Sequence, residues 1–390
     1  MDCREQFREL FGKDSESEAF CPYRVCPVGA HIDHQLGKIT GFAIDKGIRI
    51  AYTPREDGVV ELASLNFDGT RSFNVNDVPK TSLRDWADHL RGAAVAPSKR
   101  HSLSIGLNGV FEGSLPVGGL SSSAAVIISF LKALCKVNGI TLTPHEMILT
   151  AQQAENEYVG VSCGKLDQSC EVLCRKGQLL YLDTKDDSFD LLPKQYGMKP
   201  FKIAVFFSGL ERSLVGQKYN MRVDEVKSAA YALLAYAGLD YGKFGETFMR
   251  NVPEDLFTRY GDRLPEPWRR RAAHYFGEMR RVEEAVAAWR NGDISAFGRI
   301  STESGRSSIE LWETGSEELK AMYEIMTETD GIYGGRFSGA GVKGCCMAVI
   351  DPAFKESVCQ HVTEKYKRLF PALADKYRCC VCDTADGALN

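Results

Sequence analysis

The sequence lacks several features that would place the protein outside the ordinary globular classes. It has no apolar run long enough to cross a membrane. Its first residues, MDCREQFREL, are charged and lack the apolar core of a signal peptide. No basic tail or stripe accompanies the formal net charge of −4, which argues against a nucleic-acid partner. We therefore expect a cytoplasmic protein with neither a membrane nor a nucleic-acid partner.

The 13 cysteines do not form the paired CxxC motifs of a structural zinc site. Their odd number and the absence of a secretion signal favour reduced thiols. The runs Cys345-Cys346 and Cys379-Cys380-Val381-Cys382 lie in apolar sequence, so buried free thiols are the expected state. At 390 residues and 44% hydrophobic content, the chain is long enough for two domains.

The pattern of apolar residues predicts an α+β protein, with strands concentrated in the first half and helices in the second. Residues 39–66 are typical of two strands joined by a hairpin turn at REDG, and residues 102–111 of a third. A buried helix is predicted from Ala124 to Val137, and the next helix begins after Thr143, with Glu146 at the capping-box spacing. Residues 186–200 are predicted to be a connection, and helical patterns dominate from about 217 to 330.

The segment PVGGLSSSAA, Pro116 to Ala125, predicts a phosphate site. Its glycines allow the backbone to approach a ligand, and the serines lead directly into a helix whose first N–H groups attract anions. The Gly-Lys-Ser/Thr ending of a Walker loop is absent. Taken alone, such a segment is about as often a simple helix cap.

Two further segments favour the phosphate interpretation. GGRFSGAGVKG, Gly334 to Gly344, is a second glycine-rich loop that runs into an apolar strand, although a tight turn between a helix and a strand has the same composition. Glu155 and Asp167 flank a glycine-containing loop. Carboxylate oxygens are ligands for Mg²⁺ and acceptors for the proton released in phosphoryl transfer.

The ordered set of RVCPVGAHIDHQLGK, PVGGLSSSAA and GGRFSGAGVKG resembles the GHMP small-molecule kinases, and the resemblance extends over nearly the whole chain. The segments AENEYVGVSCGKLDQ and KYNMRVDE resemble the galactokinase branch. The resemblance implies a two-domain fold with the active site in the interdomain cleft. We predict an N-terminal domain at 1–190 and a C-terminal domain with a ferredoxin-like element at 191–390.

The resemblance also implies roles for particular residues, with ATP and Mg²⁺ as cofactors. Asp167 is the implied base for the anomeric hydroxyl of a sugar, and Arg24 the cation beside it. The implied ligands of Mg²⁺ are Glu155 and Ser123, with Ser122 as an alternative to Ser123. The groups implied around ATP are Trp86, Gly118, Gly119, Leu120, Ser121, Ser122 and Ser123. Those implied around the sugar are Ala30, His31, Asp33, Gly164 and Tyr219.

Ala30 departs from the galactokinase pattern, which has Glu at this position to accept a hydrogen bond from the C6 hydroxyl. The arrangement GAHIDHQ resembles the plant galacturonokinases. Galacturonate carries a carboxylate at C6, and two unit charges about 4 Å apart repel by about 1 kcal/mol in water and about 4 kcal/mol at an effective dielectric near 20. The sequence therefore predicts an ATP-dependent kinase that phosphorylates O1 of D-galacturonate.

Other functions remain open at this point. L-Arabinopyranose has no C6, so a kinase for this sugar would not need an acid at position 30. A galactokinase with a relaxed contact to the C6 hydroxyl could lack the acid as well. A cation near C6 would favour galacturonate, and the candidates are Lys165, Arg212, Lys218 and a protonated or donating His34. A catalytically silent sugar and ATP sensor is the alternative of another class, but Asp167, Arg24 and the serine run are intact.

Overall fold

The computed structural model is described over residues 2–210 and 216–389. Strands and helices alternate in both halves of this range, which confirms a mixed α and β architecture. None of the described helices is both long and apolar enough to span a bilayer.

The first sheet is formed by strands from the N-terminal half together with the last strand of the chain. Its members are β1 Ser17–Val25, β2 Lys38–Arg55, β3 Val59–Ser64, β4 Arg71–Asn74, β5 Gly106–Gly113, β6 Gln178–Asp183, β7 Phe189–Pro193 and β12 Thr384–Ala385. Their order is β4-β3-β5-β2-β6-β7, and β1 and β12 both pair with the long strand β2. The C-terminal strand therefore returns to the sheet in which the chain begins.

The second sheet is antiparallel and has the order β11-β8-β10-β9. Its strands are β8 Lys202–Phe207, β9 Ile332–Phe337, β10 Cys345–Ile350 and β11 Arg378–Cys382. In chain order this is 4-1-3-2, with helices before β9 and before β11, as in a ferredoxin-like element. The division of the chain at residue 190 stays a prediction.

Helices pack against both sheets and connect many of their strands. They are α1 Cys3–Phe11, α2 Asp88–Ser98, α3 Ser122–Val137, α4 Pro144–Gln153, α5 Leu166–Leu173, α6 Gly216–Tyr236, α7 Glu254–Tyr260, α8 Glu266–Arg290, α9 Ile294–Glu310, α10 Glu317–Thr327 and α11 Lys355–Leu369. A π-helical turn, Ala154–Val159, continues α4. The predicted buried helix is α3, which packs on β1 and β2. Thr143 and Glu146 form both hydrogen bonds of the predicted capping box of α4.

Two predictions about strands were wrong. REDG does not close a hairpin, because β5 lies between β2 and β3 and pairs in parallel with β3. REDG was correctly predicted to be a turn. Which strands pair, however, depends on contacts with segments far away in the sequence, here β5. Residues 186–200 are not only a connection, since β7 pairs with β6 at the edge of the first sheet. Its exposed Phe189 and its terminal Pro193 obscure the strand pattern, as is common for edge strands.

Candidate active site

The two glycine-rich loops meet directly between the sheets. Gly118 and Gly119 have φ of +135° and +85°, and Gly344 has φ of +113°. A Cβ on Gly119 would lie 2.6 Å from the sulfur of Cys345, and one on Gly344 would lie 2.7 Å from the carbonyl carbon of Gly118. Glycine is therefore required at these positions by both backbone conformation and space. The second loop joins β9 to β10, rather than a helix to a strand.

Two adjoining cavities open beside this loop contact, with volumes of about 920 Å³ and about 790 Å³. Residues that line both are His89, Val117, Ser122, Ser123, Leu210 and Gly344. Trp86, Lys376 and Arg378 line the larger cavity. The smaller cavity contains Arg24 and Asp167. Each cavity has walls from both sheets, so the site lies in the cleft between them.

The smaller cavity brings together all the residues predicted for catalysis, substrate and metal, and most of those predicted for the ATP phosphates. They are Arg24, Ala30, His31, Asp33, Gly118, Gly119, Ser121, Ser122, Ser123, Glu155, Gly164, Asp167 and Tyr219. Trp86 lines the larger cavity instead. Leu120 lines neither cavity, because its side chain is buried in the hydrophobic core next to the first sheet.

Asp167 lies in the first turn of α5 and is held on both carboxylate oxygens. One oxygen accepts hydrogen bonds from Arg24 at 2.7 Å (Nε) and 2.6 Å (Nη2), and the other accepts from the Ser121 hydroxyl at 2.7 Å. Arg24 is 3% exposed and also donates to the Gly119 carbonyl at 3.0 Å. Burial opposes the charge of Arg24, but the negative charges of Asp167 and Glu171 more than compensate and raise its pKa. The hydrogen bonds of Arg24 and Ser121 therefore hold Asp167, the candidate base, next to the glycine-rich loop that contains Gly119.

Asp33 and Gly164 form the wall next to Asp167. Burial raises the pKa of Asp33 to about 6, and the nearby charge of Asp167 adds to this effect. Asp33 accepts a hydrogen bond from the backbone N–H of Leu166 at 3.1 Å. A Cβ on Gly164 would lie 2.2 Å from an Asp33 carboxylate oxygen, so only glycine allows this approach. The pair places a carboxylate acceptor next to Asp167 in the smaller cavity.

Glu155 and the serines at the start of α3 have the chemistry of a Mg²⁺ site. Glu155 is 5% exposed, lies in the π-helical turn, and accepts a hydrogen bond from Gln168 at 2.8 Å. Ser122 and Ser123 lie at the junction of the two cavities. A carboxylate and hydroxyls facing a phosphate loop fit a hard divalent cation. Both serines border the cavities, so the choice between them stays open.

The larger cavity has an aromatic wall suited to a nucleotide base. Trp86 stacks with Phe67 at a centroid distance of 6.4 Å and an interplanar angle of 11°, and the Arg71 guanidinium lies 5.7 Å from the Trp86 ring. Basic side chains of Arg84, Lys376 and Arg378 also border the cavity. An aromatic face beside several cations can accommodate a base and its phosphates.

His31, the residue after Ala30, belongs to a group of neighbouring rings, and we call this group together with Ala30 the Ala30 pocket: Ala30, His31, His34, Tyr219 and Trp312. Ala30, His31 and Tyr219 line the smaller cavity, whereas His34 and Trp312 line neither cavity. The His31 ring stacks on Trp312 with centroids 5.3 Å apart and an interplanar angle of 6°. His34 lies 5.5 Å from Trp312 and 6.1 Å from Tyr219. Trp312 was not predicted, because nothing in the local sequence ELWETG marks it and only the tertiary structure places it here.

Of the predicted cations in the described part of the chain, Lys165 does not enter the site. It forms an ion pair with Asp187, on the turn between β6 and β7, and does not line the smaller cavity. Arg212 and the side chain of Lys218 lie outside the described residues. His34 is buried at its Nε2 atom, and burial lowers its pKa to about 3, so it is a neutral ring at neutral pH.

Sequence reasoning also missed two buried acids behind the site. Glu278 on α8 accepts a hydrogen bond from the backbone N–H of Gly29 at 2.9 Å and thereby supports the loop that carries Ala30. Glu171 lies one helical turn after Asp167, and burial together with the charge of Asp167 raises its pKa. No signal in the sequence marks either residue, because α5 and α8 both contain other charged residues and only the structure shows that these two acids are buried.

Comparison with known proteins agrees with this geometry. The descriptions "GHMP kinases N terminal domain" and "GHMP kinases C terminal" match residues 89–175 and 283–368. The chain is 35% identical to a galacturonokinase of Arabidopsis thaliana, covering 99% of this chain and 96% of that protein. It is 30% identical to a galactokinase of Roseiflexus sp. (strain RS-1), with the same two shares.

Solved structures place the fold in the same group. The Lactococcus lactis galactokinase, in a complex with galactose, has a TM-score of 0.88 and 25% identity, covering 98% of this chain and 97% of that one. The Methanococcus jannaschii mevalonate kinase shares the fold, with a TM-score of 0.66 and 14% identity, covering 95% and 99%. The chain therefore belongs to the GHMP kinases. Within them it is a sugar kinase of the galactokinase and galacturonokinase type.

Proposed function

We propose that the protein transfers the γ-phosphoryl group of ATP to O1 of D-galacturonate, giving D-galacturonate 1-phosphate and ADP. The observation that carries the choice of sugar is Ala30, which lines the sugar cavity where a galactokinase presents an acid. The 35% identity to a protein named galacturonokinase supports the same substrate.

Asp167 is the proposed base in this reaction. Its carboxylate takes the proton of the anomeric hydroxyl as O1 forms a bond to the γ-phosphorus and the bond from that phosphorus to the ADP oxygen breaks. Arg24 positions Asp167 and offsets negative charge on the transferred group, since its guanidinium donates hydrogen bonds to Asp167 and to the Gly119 carbonyl of the phosphate loop. Asp33, Gly164 and Tyr219 would hold the sugar with O1 towards Asp167.

The nucleotide would occupy the larger cavity, with its base at Trp86 and its phosphates at Gly118, Gly119 and the start of α3. We propose that Mg²⁺ is held by Glu155 and Ser123, or by Ser122 in its place. When bound, the metal would neutralise phosphate charge. The backbone N–H groups of Ser122 and Ser123 at the first turn of α3 would attract the same charge.

Ala30 presents no negative charge to a group at C6, whereas an acid at position 30 would repel a C6 carboxylate. Burial is the main cause of the lowered pKa of His31, and the positive charge of Arg336 lowers it further, so this ring is neutral at neutral pH.

The direct test is ATP consumption by the purified protein with Mg²⁺ and each of galacturonate, galactose, glucuronate and L-arabinose. We expect the highest kcat/KM for galacturonate. A higher value for galactose or arabinose would mean that Ala30 marks only a relaxed C6 contact. Silence with all four sugars, together with retained ATP and sugar binding, would favour the sensor function instead.

Ala30→Glu tests the reason for the preference. We expect kcat/KM for galacturonate to fall relative to galactose by up to about a thousandfold, since two carboxylates about 4 Å apart at an effective dielectric near 20 repel by about 4 kcal/mol. Ala30→Gln, of the same size but uncharged, is the matched control and should change the ratio much less. If both variants change it equally, space rather than charge selects the substrate.

A further inference from the structure

Lys343 lies in the second glycine-rich loop and lines the smaller cavity. The loop joins Phe337, the last residue of β9, to Cys345, the first residue of β10. Its sequence is SGAGVKG, in which lysine is the only charged residue. Lys343 is half-buried, so the loop presents a single cation at the wall of the cavity.

Hydrogen bonds hold the backbone of the loop on both sides of Lys343. Before it, the carbonyl of Ala340 accepts a hydrogen bond from the Thr314 hydroxyl at 2.8 Å. After it, the carbonyl of Gly344 accepts one from the backbone N–H of Ser208 at 2.8 Å. The starting point of the lysine side chain is therefore set by the fold, and only its four-carbon stem can adjust to a ligand.

The contact between the two glycine-rich loops lies directly beside Lys343. The next residue, Gly344, borders both cavities, and a Cβ on it would lie 2.7 Å from the carbonyl carbon of Gly118 and 2.9 Å from the nitrogen of Gly119. Lys343 itself lines the smaller cavity, which also contains Asp167. Its side chain therefore starts where a phosphoryl group would pass from the nucleotide to the sugar.

The smaller cavity is lined by more acids than fixed cations. Its carboxylates include those of Asp33, Glu155 and Asp167. Among the described residues that line it, Arg24 and Lys343 are the only arginine and lysine, and Arg24 already donates to Asp167 at 2.7 Å. A phosphoryl group adds negative charge next to these acids, and a second cation offsets that repulsion.

We infer that the ammonium group of Lys343 binds the γ-phosphoryl group of ATP and remains in contact with it during the transfer. An ammonium group has three donors and no acceptor, and it pairs with a phosphate as a point charge. In the transition state, charge is spread over the equatorial oxygens of this group, so a cation beside them lowers the barrier. The inference rests on the nucleotide placement in the proposed function, and it does not depend on the choice of sugar.

The experiment compares Lys343→Met with the wild type, because methionine keeps an unbranched side chain and removes the charge. We expect kcat to fall by about 100-fold or more on both galacturonate and galactose, as when one donor to a developing negative charge is removed. Isothermal titration with Mg²⁺ should show ATP binding weakened by about tenfold or more. ADP binding should stay within about twofold, because ADP lacks the γ-phosphoryl group.

Lys165→Met is the matched control. Lys165 forms an ion pair with Asp187 and does not line the smaller cavity. The control should leave kcat and both nucleotide affinities within about twofold of the wild type. Lys343→Gln, polar and uncharged, provides the same comparison if Lys343→Met does not fold.

The outcomes separate this inference from the choice of sugar. Lower kcat on both sugars, with weaker ATP binding and unchanged ADP binding, supports the inference. A loss confined to galacturonate, with ATP binding unchanged, would assign Lys343 to the C6 carboxylate and overturn it. Equal weakening of ATP and ADP binding, or wild-type behaviour throughout, overturns it as well. Wild-type failure on galacturonate overturns the proposed substrate, whereas the comparison of ATP with ADP needs no turnover and still decides the role of Lys343.

Discussion

Replacing Glu278 by Gln should destabilise the protein strongly, because its carboxylate is a buried charge at the back of the sugar site. Glu278 is fully buried. One oxygen accepts from the backbone of Gly29 at 2.9 Å and from the Ser304 hydroxyl, with Arg336 at 3.4 Å, and the other accepts from Arg281 at 2.7 Å. The network joins α8, α9 and β9 to the loop that carries Ala30.

The magnitude follows from the ionisation of this group. Burial alone would raise the pKa of Glu278, but the positive charges of Arg281 and Arg336 and the hydrogen bond from Ser304 outweigh it and lower the pKa from 4.5 to about 2. A difference of about 2.5 pH units at about 1.36 kcal/mol each corresponds to about 3 kcal/mol. Removing one partner of a buried ion pair costs about 3–5 kcal/mol, which agrees.

The pH dependence has a definite sign. Since the folded pKa is depressed, the contribution is fully present above about pH 4.5 and is lost as the pH falls towards 2. Urea unfolding at pH 7 should therefore show a loss of about 3 kcal/mol in the Gln variant. Its stability should approach that of the wild type as the pH falls below about 4.5.

Glu283→Gln is the control for Glu278→Gln, because Glu283 lies on the same helix and pairs with Lys38, but its side chain is 52% exposed. Exposed pairs contribute about 0–1 kcal/mol. We expect the control to be nearly as stable as the wild type. Losses of less than about 1 kcal/mol in both variants would refute the reasoning, because the contribution of a charge to stability would then not depend on its burial.

Two further predictions concern the chemistry and the phosphate loop. Asp167→Asn should abolish turnover, because an amide cannot take the proton, while isothermal titration should still show ATP binding; measurable turnover near the wild-type rate would exclude Asp167 as the base. Gly119→Ala should raise the KM for ATP by tenfold or more, because the new Cβ would lie 2.6 Å from the Cys345 sulfur at φ +85°. Gly139→Ala is the control, because Gly139 has φ +65° but no heavy atom lies within 4 Å of its Cβ position. This variant should lose about 1 kcal/mol of stability without a change in kinetics. Equal kinetic effects in the two variants would show that backbone strain, and not the contact with the Cys345 sulfur, is responsible.

The fold was predictable where the signal is local. The capping box at Thr143 and the apolar run of α3 depend on interactions within a few residues, and both appear as expected. Strand β1, which carries Arg24, was not predicted, and neither was the position of β5 between β2 and β3. Strand pairing depends on contacts between distant segments, which a local pattern does not contain.

The candidate site divides in the same way. The three motifs contain most residues that line the smaller cavity, because each motif is a short local segment whose residues stay together in the fold. Each motif alone is ambiguous, and it is their order along the chain that identified the site. Lys165 is the instructive exception, since its distance from Asp167 in the sequence suggested a role in the site. The structure pairs it with Asp187, on a separate turn, so the charge is not available to the sugar.

The sequence by itself determined the chemical groups that this protein can use: a base, a cation beside it, two glycine-rich loops and an alanine in place of an acid. Only the tertiary structure decided what these groups do together. Trp312 stacks on His31 from far along the chain, and the buried carboxylate of Glu278 accepts a hydrogen bond from Gly29 on the loop that carries Ala30. Hydrogen-bond direction and desolvation depend on which atoms meet in space, and that information appears only when distant segments pack.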